Sequence, residues 1–81
     1  MTFEEYLLYS ARCGESEGIE ECLQMKVAIN YQNEDMGNAA IHLASANGHA
    51  DAVTLLLNNG ASINLTNKSG NTALHWACLC G

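Results

Sequence analysis

Basic residues are scarce: the 81-residue chain holds three Lys and Arg against nine Asp and Glu, for a formal net charge of −6. Such a balance repels phosphate, which excludes nucleic acid as the expected ligand. Long apolar runs are missing too, so no segment is suited to span a bilayer and no membrane partner is expected. The chain does not open with a basic stretch, an apolar run and a small-residue cleavage site, so no secretory leader is read. Cysteine is limited to Cys13, Cys22, Cys78 and Cys80, too few for the dense disulfide framework that supports many small secreted domains. Together these absences point to a soluble protein of the cytoplasm or nucleus with free thiols.

The residue patterns of catalysis are also missing. There is no C-x-x-C; Cys78 and Cys80 form a C-x-C on a predicted helix, where residues two apart point to different faces. No serine triad and no phosphate-cradling glycine loop is visible, and a cysteine nucleophile has no evident base beside it. An enzyme is therefore not expected, nor is a metal or cofactor. Cys13, ending a helix, and Cys22, on an apolar stripe, read as small packing residues. A metal or thiol-redox protein stands as the remote alternative, with stoichiometric zinc or an acidic thiol at Cys78 or Cys80 as its mark.

What the chain does have is repetition. "GNAAIHLASANGH" begins at Gly37 and "GNTALHWACLCG" at Gly70, 33 residues later. The same offset pairs Asn38 with Asn71, Ile41 with Leu74, His42 with His75, Ala44 with Ala77 and Gly48 with Gly81. Backward, an offset of 34 pairs Gly48 with Gly14, Ile41 with Leu7, Val53 with Ile19, Leu57 with Leu23 and Asn64 with Asn30, so one residue is inserted around "NEDMG". Repeats of this length mark a solenoid, in which each unit covers its neighbour's apolar face.

The middle unit shows how each part is built. "AAIHLASAN" predicts a slim, alanine-rich helix that a neighbour can approach closely. Gly48 supplies the left-handed residue that ends it. "ADAVTLLLNN" predicts a second helix with Val53, Leu56 and Leu57 as its apolar stripe, and Gly60 ends it in the same way. "GASINLTNKSGN" suits an extended finger or hairpin leading to the next pair.

These runs resemble ankyrin repeats, with a Thr-Pro-Leu-His-like helix start, an Ala-x-x-Gly-His helix end, a leucine-rich second helix and a Gly-Ala-x-x-Asn exit. The resemblance is strongest over residues 37–81; over 2–33, "YLLYSARCGESEGIEECL" keeps the helix pair without the histidine. It implies an all-α ankyrin-repeat solenoid of about two and a half repeats: a divergent N-terminal capping repeat at 1–33, a full repeat at 34–66 and the first half of a third at 67–81. Ala40 and Ala73 stand where the family has proline. Ala39 stands where a threonine would cap the helix, whereas Thr72 keeps that cap. The flank around Leu56, Leu57, Leu74 and Trp76 is expected to be partly uncovered, so that further chain beyond Gly81, a partner or a second copy should cover it.

The resemblance also implies that His42 and His75 bridge adjacent fingers by hydrogen bonds, and that Asn30 and Asn64 bond within turns or accept hydroxylation. His49 reads as a turn residue. Partners of this architecture dock on the concave surface of finger tips and inner helices. Matched to the family pattern, that surface includes Arg12 and Cys13 in the first unit and Glu34, Asp35, Met36, Asn38, Ala46 and Asn47 in the second. Lys68, Ser69, Asn71, Leu79 and Cys80 belong to it in the third, with Trp76 either core or aromatic anchor.

Charge adds the chemistry of the partner. Residues 1–35 carry eight acids against Arg12 and Lys26, so the whole net charge of −6 sits there. Glu34 and Asp35 fall at the inserted finger tip. Glu15, Glu17, Glu20 and Glu21 cluster around the second helix of the first unit, either as a solvated cap or as a binding surface. The expected function is a non-enzymatic scaffold for a protein partner of basic character. The run "NKSGNTALHWACLCG" is similar to small fungal ankyrin-repeat chaperones of a basic small-subunit ribosomal protein. An adaptor module of a larger signalling or scaffold protein is the alternative.

Overall fold

The computed structural model describes residues 2–73. Leu74, His75, Trp76, Cys78, Leu79 and Cys80, on which part of the sequence reading rests, lie outside the described residues. Among the described residues four helices follow one another: α1 (Phe3–Cys13), α2 (Ser16–Gln24), α3 (Ala40–Ala46) and α4 (Ala50–Asn58).

Local chemistry sets their ends. Thr2 caps α1 by accepting the Glu5 N–H at 3.2 Å, and Glu4 and Glu5 in the first turn with Arg12 in the last suit the helix dipole. Gly14, at φ 72°, closes α1 with the Glu15 N–H on the Ser10 carbonyl at 2.8 Å. Gly48 repeats this after α3, with φ 72° and the His49 N–H on the Ala44 carbonyl at 2.9 Å. Beyond α4 the left-handed residue is Gly60, at φ 97°; its counterpart after α2 is Lys26, at φ 59° and without glycine's freedom.

The two short Gly-centred links fold α1 back on α2 and α3 back on α4. Between the pairs, α1 packs on α3 and α2 on α4. The result is two layers of helices, the all-α solenoid arrangement, with no strand among the described residues. The predicted finger is thus formed by hydrogen-bonded turns rather than a β-ladder.

Burial follows the repeat. Leu7 and its counterpart Ile41, and Cys22 and its counterpart Leu56, are all closed to solvent, as is Ile19. Each large aliphatic of this set contributes about 1.5–3 kcal/mol by leaving water. Ala11, Ala40, Ala44 and Ala52 are equally buried, which lets the helices approach. Two sequence expectations need correction. Leu56 is fully buried rather than on an open flank, and Leu57, expected on the apolar stripe, is exposed. Helix α4 turns the edge through Ala52 and Leu56 inward, and Leu57 lies about 100° further round.

Candidate functional site

The finger tips are built on two asparagines. Asn33 Oδ1 accepts the N–H groups of Met36 at 3.1 Å and Asn38 at 3.2 Å, while its backbone N–H reaches the Asn38 carbonyl at 3.0 Å. Asn67 does the same one unit later, accepting from Ser69 at 2.9 Å and Asn71 at 3.0 Å, with its N–H on the Asn71 carbonyl at 2.9 Å. A side-chain oxygen that gathers nearby N–H groups holds a turn without sheet partners. Gly37 and Gly70 take the positive φ each turn requires, 70° and 79°.

The two tips are then fastened to each other. The Lys68 N–H donates to the Met36 carbonyl at 2.9 Å, and the Asn67 amide donates to Asn38 Oδ1 at 3.0 Å. Gln32 Nε2 donates to both the Gly37 carbonyl, at 2.8 Å, and the Thr66 carbonyl, at 2.7 Å. The Lys68 ammonium donates to the Glu34 carbonyl, so positive charge sits beside the acidic tip.

His42 anchors this assembly to α3. Its Nδ1 accepts the Ala39 N–H at 2.9 Å, which puts the ring proton on Nε2, facing the carbonyls of Leu65 at 3.0 Å and Asn71 at 3.2 Å. The ring is completely buried. Ala39 has no side-chain acceptor, so the start of α3 relies on this imidazole, which satisfies the Ala39 N–H just outside the helix.

Of the residues expected at the surface, Glu34, Asp35, Met36, Lys68 and Ser69 are exposed and brought together by the linked tips. Asn38 and Asn71 are half-buried and take part in the tip network. Ala46, half-buried, and Asn47, exposed, lie about 10 Å along α3 from the tips; Asn47 donates back to the Leu43 carbonyl at 2.8 Å. Arg12 and Cys13 are exposed at the corresponding end of α1. Cys13, and after it Glu15, hold the Tyr9 hydroxyl above its ordinary pKa. Burial raises the Cys22 thiol, with Glu21 adding to the effect; its Sγ reaches the Phe3 carbonyl at 3.7 Å. Among the described residues no group of three His, Cys, Asp or Glu is placed to hold a metal ion, and no helix is long and apolar enough to cross a membrane.

The sequence reading missed Asn33, Asn67 and Gln32. The signal was present: Asn33 and Asn67 fall 34 apart, four and three residues before the turn glycines Gly37 and Gly70. It also missed the role of His49, whose Nε2 reaches the Arg12 carbonyl at 2.9 Å. A Cβ on Gly14 would stand 2.6 Å from that ring, so glycine is needed there for the units to close.

Comparison with known proteins agrees with this geometry. The family model for ankyrin repeats, in three copies, matches residues 7–81. The protein named "Probable E3 ubiquitin-protein ligase XBOS33" from Oryza sativa subsp. japonica is 40% identical over 75 residues, which cover 91% of this chain and 14% of that protein. An E3 ubiquitin-protein ligase of Arabidopsis thaliana is 35% identical over 75 residues, 91% of this chain and 15% of its own. A transient receptor potential cation channel subfamily A member 1 homolog of Caenorhabditis elegans is 33% identical over 75 residues, 91% of this chain and 6% of its own. The chain therefore spans about a seventh of the length of the two ligases. It belongs to the ankyrin-repeat family.

Proposed function

We propose that this ankyrin-repeat chain is a non-enzymatic module that holds a protein partner across its linked finger tips and the exposed sides of α1 and α3. Ankyrin repeats are protein-interaction modules, and that coarse function follows from the family. The observation carrying the finer reading is that two tips, 34–38 and 67–71, are joined by hydrogen bonds while Glu34, Asp35, Met36 and Ser69 stay exposed. A surface rigid before binding loses little freedom on binding. Outside the described residues, His75 is read as a further bridge of this kind and Trp76, Leu79 and Cys80 as a continuation of the surface.

The acidic balance of residues 1–35 supports a partner of basic character, because complementary charge speeds encounter and rejects anionic competitors. A ribosomal-protein client escorted before assembly is the most specific form of this reading. The small share of each relative that the chain spans supports the other form, a recognition segment within a longer adaptor. Cytoplasm or nucleus is the compartment proposed for both.

The test is affinity capture from a cell extract, followed by titration with the purified partner. Asp35→Lys with Met36→Asp should weaken that titration at least tenfold while helical circular dichroism is unchanged. Unchanged affinity would overturn the finger-tip reading. Loss of binding in moderate salt would favour a basic client, and survival an apolar adaptor contact.

A further inference from the structure

A second surface lies on the first unit, apart from the fingers. Between α1 and α2 is a cleft of about 460 Å³ lined by Tyr6, Glu15, Ser16, Glu17, Gly18 and Glu21. The 34-residue offset maps these positions onto Ala40, His49, Ala50, Asp51, Ala52 and Leu55 of the second unit. There Ala40, His49, Ala52 and Leu55 form the side that meets the first unit, while Ala50 and Asp51 stay exposed. Ala40 and Ala52 are buried, the His49 ring covers Gly14, and Leu55 shares a groove with Glu20 and Leu23. In a stack of equivalent units, the same positions of the first unit face away from the second.

On that outward face the packing chemistry is replaced. Tyr6 stands for Ala40, Glu15 for His49, Ser16 for Ala50 and Glu21 for Leu55, and Glu17 keeps the acid of Asp51. Every charged residue lining the cleft is a glutamate. Beneath it, Ser10 replaces Ala44 and Gly18 replaces Ala52. The Ser10 hydroxyl is completely buried and has no hydrogen-bond partner among the described residues. It points at the glycine that lines the cleft: a Cβ on Gly18 would stand 2.4 Å from Ser10 Oγ and 3.3 Å from the Tyr6 hydroxyl. An alanine at position 10, like Ala44, would leave no such polar group unsatisfied. The Ser10 and Tyr6 hydroxyls therefore stand beside Gly18, and three glutamates line the cleft, where a packing face would carry methyl groups.

We propose that this α1–α2 end face receives a lysine- or arginine-bearing segment of a partner protein. The cationic head lies among Glu15, Glu17 and Glu21, and its methylene stem lies along the Tyr6 ring. Charge complementarity selects this occupant: a second copy would bring the same carboxylates, and an apolar repeat face would leave them unpaired.

The test uses a heptalysine peptide titrated into the ¹⁵N-labelled 81-residue chain at low salt, with its fully acetylated form as control. The expected result is amide shift changes centred on Glu15–Glu21, absent with the acetylated peptide. Affinity should fall at least tenfold in the Glu15→Gln, Glu17→Gln, Glu21→Gln variant and less than twofold in Glu5→Gln, Asp51→Asn. All replaced residues are exposed, so both variants keep the core, which the unperturbed amide spectrum verifies. Equal losses in the two variants would overturn the proposal in favour of a diffuse acidic field. Shift changes centred on the finger tips would also overturn it, as would concentration-dependent changes at the cleft without peptide, which mark a second copy.

Discussion

In the first helix pair Leu7 and Cys22 fill the places that Ile41 and Leu56 fill in the second, and all four are closed to solvent. The positions around them diverge. Where the second pair has Ala40, Ala44, Ala52 and Leu55 to meet a neighbour, the first has Tyr6, Ser10, Gly18 and Glu21. Where the second has His42 to fasten two fingers, the first has Leu8, which joins the core. The lesson is that the repeat specifies a buried skeleton, and the few positions that leave it decide what each unit can hold.

The largest effects should fall on the shared skeleton. Leu7→Ala and Ile41→Ala should each lower unfolding free energy by about 2–5 kcal/mol in urea titration, while exposed Leu57→Ala changes it by less than about 1 kcal/mol. A large loss at only one of the two buried sites would mean that the pairs do not fold as one unit.

His42→Ala should cost about 1–3 kcal/mol, because it strands the buried Ala39 N–H and removes the donor from the Leu65 and Asn71 carbonyls. Amide exchange should quicken at Ala39 and Asn71 more than in α1. Uniform quickening would show that the histidine serves the core rather than the fingers.

Gly18→Ala should cost about 1–3 kcal/mol by overpacking against Ser10. Adding Ser10→Ala recreates the Ala44 and Ala52 pairing of the second unit and should recover most of the loss. Additive losses would show that the two pairs differ in backbone and not only in side chains.

The smallest expected effect is a gain. Lys26→Gly puts glycine at the left-handed position that Gly60 holds in the second unit, and should raise stability by about 1 kcal/mol in the same titration.

Much of this was legible in the sequence because it repeats. The 33- and 34-residue offsets locate the helix pairs and the buried Leu7 and Ile41, and the glycines after α1 and α3 mark their ends. What was not legible depends on which way a face turns or on contacts between units. The i, i+3, i+4 pattern includes Leu57 but does not show that Ala52 and Leu56 lie at the centre of the inward edge. The inserted residue between Asn33 and Gly37 hides the match between the two fingers, because the asparagines repeat at 34 and the glycines at 33. His49 has Glu15 as its counterpart, so no repetition announces its bond across the units to the Arg12 carbonyl.

The most direct test of the account is amide hydrogen exchange of the chain with and without its purified partner. Slowed exchange over Glu34–Asn38 and Lys68–Asn71, with α4 unchanged, is the predicted result. Protection confined to the outer helices, with both finger tips exchanging as in the free chain, would contradict it.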